Sequence, residues 1–330
     1  MLVVGPNGAG KTNLLEALHV GTQGFSPRTR SDASLIRFGR EGARIALTGD
    51  RAGSPLELNV ILHAGSAKRA SLNGARLQAA EQLRGEVATL VFTPDRLVVV
   101  KGGPAARRAY FDRALGRGTP MQATLPVEYG AALAQRNAAL RGVSLGYSTR
   151  EALHPWTERI ADLGAQLVAA RREVIAALEP LFAAYAGELG IGAAALRYEA
   201  QAPSKETLEA RLDRDLERGA TGLGPHLDDV EILAGDRDLR AFGSQGEQRL
   251  AVLALLLAEA DLVKDRRGFP PLLLLDDVLS ELDPDRRRVL AERLRTYGQA
   301  LITTTSAAAL PAEPDQLLEV EAAEGGTVVR

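Results

Sequence analysis

The chain contains no cysteine, which excludes disulfides, thiol chemistry and cysteine-ligated metal sites. Its four histidines, His19, His63, His154 and His226, are scattered without the spacing of a zinc site. Aromatic residues make up only 4% of the total, with a single Trp; an isolated one such as Trp156 reads as core, not as a contact to a cofactor. Long apolar runs are missing too. No stretch reaches the length needed to cross a bilayer, and Met1 to Val4 is too short for a signal peptide, so a cytoplasmic protein with no membrane partner is expected. Neither sign of charge dominates: a net charge of −2 leaves any nucleic-acid surface to a local basic patch. What remains is an ordinary composition spread over 330 residues, enough for one large domain or two lobes.

The opening stretch carries the strongest pattern. Gly5, Pro6, Asn7, Gly8, Ala9, Gly10, Lys11 and Thr12 match the phosphate loop of Gly, four residues, Gly, Lys, then Ser or Thr. Apolar Leu2 to Val4 before it and Leu14, Leu15 and Leu18 after it supply the strand and helix that the loop must join. Glycines let backbone N–H groups close round phosphate oxygens, Lys11 adds a cation for the β and γ phosphates, and Thr12 offers a hydroxyl to Mg²⁺. With Asn13 these residues form the expected nucleotide-binding set.

Beyond it, turn-forming residues dominate from Gly21 to Pro27, and Phe25 to Thr29 reads as an exposed, positively charged loop. Alternation at period two marks Ala43 to Phe92 as strand-rich, and Asn73-Gly74 is a strong hairpin signal. An antiparallel sheet follows. From Lys101 to Arg117 five cations surround Tyr110 and Phe111. This pattern suits a phosphate backbone and equally suits a solvated helix face. Trp156, Ile160, Leu163, Leu167, Ala170, Val174, Leu178 and Leu181 recur at steps of three and four, one stripe along a helix of roughly 25 residues that stops near Pro180. Tyr129, Leu133 and Leu140 offer a partner stripe, so an antiparallel helix pair is expected. After a charged helix over Lys205 to Arg218, Thr221 to Asp229 reads as a turn. His226 within it suits a proton or phosphate role, or a purely structural one.

Three late stretches complete the site. Ser244, Gln245, Gly246, Glu247, Gln248 and Arg249 precede an apolar helical run; a hydroxyl and a glycine at a helix start present free N–H groups to an anion. Pro271 to Leu275 is an apolar strand ending in Asp276 and Asp277, the Walker B layout, with Asp276 aimed at the Mg²⁺ shell. Ser280 to Asp283 follows as a short turn.

Together these stretches resemble the SMC-type superfamily of ABC ATPase heads, and within it the RecF family of bacterial DNA replication and repair proteins. The residues that carry the likeness are GPNGAGKTNLLEA at Gly5 to Ala17, FTPDRLVVVKGGPAARRAYFD at Phe92 to Asp112, LAQRNAAL at Leu133 to Leu140, GPHLDD at Gly224 to Asp229, GSQGEQR at Gly243 to Arg249, and LLLLDDVLSELDPDRR at Leu272 to Arg287. The resemblance implies an α/β fold: a P-loop ABC-type ATPase head whose mixed sheet has an antiparallel part, plus a helical second lobe with a short antiparallel helix pair. Lobe I would take residues 1–118 and 268–330, lobe II residues 119–267. It further implies ATP and Mg²⁺, an ATP-dependent homodimer, single- and double-stranded DNA, recombinational repair at stalled forks and gaps, induction in the SOS response, and RecR and RecO-type mediators as partners.

Two positions depart from the pattern. Members of the family carry additional strands before the P-loop that close a sheet edge and help hold the base, and these are expected to be missing here. Leu227 stands where an Arg is usual. Residue by residue, the expectation is that Lys11, Thr12 and Asp276 hold Mg·ATP while Ser244 and Gly246 of a second copy close over the γ-phosphate, with Gln245, Gln248 and Arg249 completing the signature. Asp277 would polarise water, reaching less far than the Glu common in ABC ATPases, so hydrolysis would be slow and stimulated by DNA. Ser280 and Asp283 form the D-loop. DNA is expected on Arg28, Lys101, Arg107, Arg108 and Arg113. A transporter ATPase subunit is the alternative; its signature sits much nearer the P-loop, and it carries a His where Thr303 to Thr305 stand here. A long-armed architectural protein would need longer heptads, and a metabolite kinase no signature at all.

Overall fold

The computed structural model describes residues 1–51, 53–323 and 326–330; Ala52, inside the strand-rich stretch expected over 43–92, lies outside them. Elements are numbered along the whole chain. Two compact units are formed, Met1–Arg96 with Val263–Arg330, and Leu97–Leu262. No helix among the described residues is long and apolar enough to cross a membrane.

In the first unit a six-stranded sheet runs β13-β12-β1-β11-β10-β6, where β1 is Leu2–Val4, β6 Thr89–Phe92, β10 Leu272–Leu275, β11 Ala300–Thr304, β12 Leu317–Ala323 and β13 Gly326–Val329. All pairs are parallel except β12 with β13. Such strands are covered on both faces and need unbroken apolar runs, which Leu272 to Leu275 and Thr89 to Phe92 provide. β1 is paired on both sides, with β11 and β12. Helix α1, Lys11–Gln23, follows β1, and helix α10, Pro284–Thr296, joins β10 to β11.

The antiparallel part consists of β2 (Gly42–Arg51), β3 (Ser54–His63), β4 (Arg69–Leu72) and β5 (Ala75–Arg76) in sequential order. Asn73 at φ 47° and Gly74 at φ 79° make the β4–β5 connection, the two positive values that a tight hairpin requires. The stretch from Gly21 corrects the sequence reading: Gly21 to Gln23 are helical, and α1 ends at Gly24. Gly21 is there for contact, since a Cβ would lie 2.5 Å from Leu47 Cδ1. The following loop is also less open than expected. Ser26 is buried, its Oγ donating to Glu16 and accepting from the N–H groups of Arg28 and Thr29.

The second unit is mainly helical: α2 (Val98–Lys101), α3 (Pro104–Gly118), α4 (Leu125–Ser144), α5 (His154–Glu188), α6 (Lys205–Glu209), α7 (Leu212–Arg218) and α8 (Leu239–Phe242). Helix α9, Gln245–Arg267, starts in it. A small antiparallel sheet joins β7 (Ala194–Arg197), β8 (Glu231–Ala234) and β9 (Arg237–Asp238). Helix α3 belongs here, whereas the sequence reading put it in lobe I; Arg171 of α5 grips its Asp112 and Glu259 of α9 its Arg117. α4 and α5 form the antiparallel pair, with Arg136 Nε 3.3 Å from Thr157 Oγ1 and Glu128 3.5 Å from Arg159. The expected stripe is buried from Ile160 to Leu178. Contrary to expectation, α5 passes through Pro180 for 35 residues in all. Proline removes one N–H and crowds the carbonyl four residues back, and burial of Phe182, Tyr185 and Ala186 beyond it offsets that cost. The charged stretch over 205–218 is two short helices, not one.

Candidate functional site

A site forms where the carboxyl ends of β1, β11 and β10 lie side by side. Register places Val4 beside Thr304 and Ile302 beside Leu275, so the loops leaving β1 and β10 flank the end of β11. Ligands of parallel α/β sheets gather at such strand ends. The loop after β1 is the phosphate loop. Gly10 sits at φ 102°, a conformation essentially closed to residues with a Cβ, and its carbonyl accepts the Leu14 N–H at 3.0 Å, starting α1. Lys11 is buried, with Nζ donating to the Gly5 and Pro6 carbonyls at 2.7 and 3.0 Å. Pro6, Asn7, Gly8 and Asn13 are exposed around it, while Ala9 is buried.

Asp276 is brought to this loop from β10. The Thr12 hydroxyl donates to its two carboxylate oxygens at 3.1 and 3.0 Å, across 264 residues of sequence. Asp277 follows in the left-handed region, φ 50° and ψ 28°, a conformation that costs a non-glycine residue of order 1 kcal/mol and marks functional positions. Ser280 donates to the Asp277 carboxylate at 2.9 Å. Asp283 caps α10 by accepting the Arg286 N–H at 2.9 Å, so its carboxylate is engaged within its own turn. A cavity of about 350 Å³ opens between Gly8, Lys11, Thr12, Arg28, Asp276 and Asp277.

One residue of the site escaped the sequence reading. Thr303, fully buried on β11, donates from Oγ1 to Asp276 at 2.6 Å and accepts the Asp277 N–H at 3.0 Å. A single hydroxyl thereby ties both carboxylate residues to the middle strand. Its only sequence signal is the Thr303 to Thr305 run, which acquires meaning once β11 is known to lie between β1 and β10.

In the second unit, Ser244 caps α9 and is exposed with Gln245 and Gly246. Ser244 and Glu247 form a reciprocal capping box: the Ser244 N–H donates to Glu247 at 2.8 Å and Ser244 Oγ accepts the Glu247 N–H at 3.2 Å. The Ser244 N–H, and after it the Ser244 hydroxyl and Arg237, hold the carboxyl of Glu247 below its ordinary range. Gln248, expected in the signature surface, instead points inward: it is buried and donates to the Leu239 carbonyl at 2.8 Å. Arg249 is half-buried.

The residues expected to meet DNA divide sharply. Arg107 is buried in a bidentate pair with Asp229, at 2.7 and 2.6 Å. That pair corrects the expectation, because a guanidinium so committed is not open to a phosphate backbone. Arg108 is half-buried and donates to the Asp228 carbonyl at 2.6 Å; burial and then the nearby Arg171 lower its proton affinity. Arg28 is exposed, pairing with Glu16 at 3.3 Å. Lys101 and Arg113 are exposed.

His226 has the partners that sequence did not identify. Tyr129 Oη lies 2.7 Å from Nδ1, and Nε2 lies 2.9 Å from the Thr221 carbonyl. A carbonyl only accepts, so Nε2 carries the proton and Nδ1 accepts from Tyr129. Burial pushes the pKa of His226 down, and burial pushes that of Tyr129 up. The histidine is therefore a neutral structural clasp. Leu227 beside it is 58% exposed.

Known proteins resemble this chain along its whole length. The family model described as RecF/RecN/SMC N terminal domain matches residues 1–328. A "DNA replication and repair protein RecF" of Myxococcus xanthus is 37% identical, over 100% of this chain and 91% of its own. One of Anaeromyxobacter dehalogenans is 40% identical, over 92% and 86%. A solved structure described as the recombination mediator protein RecF with ATP in the RecFOR pathway superposes with TM-score 0.87 at 27% identity, covering 100% of this chain and 91% of that one. An Smc head bound to the C-winged helix domain of ScpA shares the fold alone, at 17% identity and TM-score 0.60. These matches do not favour the transporter ATPase. With these matches over nearly all of its residues, the chain belongs to the RecF family.

Proposed function

We propose that the chain is an ATP-dependent DNA-binding protein of recombinational repair that pairs with a second copy when ATP is bound. The observation that carries this reading is the convergence of Lys11, Thr12 and Asp276 at one cavity, combined with an exposed signature serine at the start of a 23-residue helix. A triphosphate suits the first set: Lys11 offers a cation and the loop its N–H groups. The Thr12 hydroxyl and the Asp276 carboxylate are hard oxygen donors about 3 Å apart, a set that fits Mg²⁺, which keeps most of its shell for water and phosphate. When bound, Mg²⁺ neutralises phosphate charge.

The chain's own residues then divide the work. Thr12 and Asp276 would hold the metal, Thr303 fixes Asp276, and Asp277 would orient the attacking water. Ser244 and Gly246 of a second copy supply N–H groups to the γ-phosphate, drawing on the dipole of α9. Asp277 has a short side chain held by Ser280, which supports slow turnover and a long-lived dimer. DNA phosphates fall to the exposed cations Arg28 in the first unit and Lys101 and Arg113 in the second, with half-buried Arg108 as a further candidate. The relatives named as RecF support a place in replication and repair, with RecR and RecO-type mediators as partners.

Gel filtration tests the central claim. The protein is expected to shift from monomer to dimer with ATP and Mg²⁺, and Ser244→Arg to stay monomeric while still binding nucleotide. A Ser244→Arg protein that dimerises normally on ATP defeats this reading.

A further inference from the structure

The segment Leu35 to Arg40 sends its apolar residues in two directions. Leu35 and Ile36 are partly buried and pack against the cluster containing Val20, Leu58, Val60 and Leu62. Two residues further on, Phe38 is 103% exposed, as open to solvent as in an unfolded chain. A groove of about 380 Å³ lined by Ile36, Ile45 and Leu62 lies beside this segment, yet Phe38 is turned away from it. The ring stands on a turn closed by the Arg40 N–H donating to the Arg37 carbonyl at 3.0 Å. Gly39 holds φ 77° there, and a Cβ added to it meets nothing within 4 Å. Arg37 and Arg40 bracket the aromatic and Arg30 precedes it, all three exposed.

An aromatic held in water between cations is the arrangement that accepts unpaired bases. Every base has a π-face, so stacking is sequence-tolerant, and the exposed Arg40 guanidinium two residues away suits a flanking phosphate. We infer that Phe38 is a base-stacking platform for single-stranded nucleic acid, with Arg40 as its phosphate contact. This rests on the nucleic-acid reading above and adds to it a named ring that engages unpaired bases. A duplex keeps its bases stacked on each other and offers the ring nothing without unstacking.

The test places a reporter at the tip. Phe38→Trp is made in a Trp156→Phe background, so that the emission comes from position 38 alone. The free protein is expected to show the red emission of a water-exposed indole, quenched on adding oligo(dT). Phe38→Ala is expected to weaken oligo(dT) binding about 10-fold with an unchanged salt slope; Arg40→Gln is expected to lower that slope by about 0.7. Blue-shifted emission in the free protein, absence of quenching, or unchanged affinity in Phe38→Ala each overturns the platform. So does a Phe38→Ala protein that keeps its affinity but loses ATP-driven pairing, which would assign the ring to the contact between copies. Failure of the unaltered protein to bind any oligonucleotide would remove the DNA-binding reading itself.

Discussion

Thr303 is the side chain on which the placement of both site carboxylates turns. Its hydroxyl is the donor to Asp276 and the acceptor for the Asp277 N–H, from a fully buried side chain on a strand buried from Leu301 to Thr304. Valine has nearly the same shape and no hydroxyl, so Thr303→Val leaves the part-buried Asp277 N–H without its partner, at a cost of about 1 kcal/mol, and frees Asp277 to leave its positive φ. ATP turnover is expected to fall at least about 10-fold in Thr303→Val, with little change in ATP affinity. Thr303→Ser keeps the hydroxyl and is expected to restore most of the rate. Equal rates in all three proteins, measured by phosphate release, would show that the hydroxyl positions nothing. Lys11, Thr12 and Asp276 were legible in the sequence because each lies within a short local pattern that carries its own chemistry. Thr303 was not, since a strand threonine becomes part of a site only through its neighbours in the sheet. Arg107 was misread for the same reason: nothing in a run of cations tells which one turns inward to meet Asp229 from over a hundred residues away.

At the scale of elements, the loop Gly224 to Asp229 is held from several sides. Arg171 of α5 donates to the Pro225 carbonyl at 2.6 Å, Tyr198 donates to Asp228 at 2.7 Å, and α3 grips Asp229 through Arg107. His226 closes the set as a neutral ring. Its pKa in the folded chain lies below the ordinary value of 6.5, so the unfolded chain binds the proton more readily. The stabilising contribution is therefore complete above about pH 6.5 and is lost as pH falls through the lowered folded value, at up to about 1.4 kcal/mol per pH unit. Urea unfolding between pH 7.5 and 5 is expected to show this loss, and His226→Gln to flatten it. An identical pH slope in the variant would separate His226 from the acid sensitivity. Periodicity found α4 and α5 because an amphipathic stripe is a property of the helix itself. It misjudged where helices end. Pro180 and Gly21 are read locally as breakers, yet burial of Phe182 carries α5 onward and the close approach of Leu47 calls for a glycine inside α1.

At the scale of the whole molecule, the proposed division of labour between the phosphate loop and the signature helix makes one expectation independent of any single rate. If each nucleotide lies between the Lys11 of one copy and the Ser244 of another, neither half-site acts alone. Lys11→Ala abolishes the first half and Ser244→Arg the second, so each variant by itself is expected to be without ATPase activity. Mixed, the two form heterodimers. One composite site in such a pair joins an intact phosphate loop to an intact signature, and the other carries both lesions. Activity is therefore expected to reappear on mixing and to rise with the fraction of heterodimer, towards half the activity of the unaltered dimer. Were the signature to serve the phosphate loop of its own chain, every copy in the mixture would still carry a defective site, and mixing would restore nothing. Phosphate release from the two proteins, alone and at equal concentration, decides between these arrangements, because symmetric pairing through identical surfaces is what lets two broken copies complete one another.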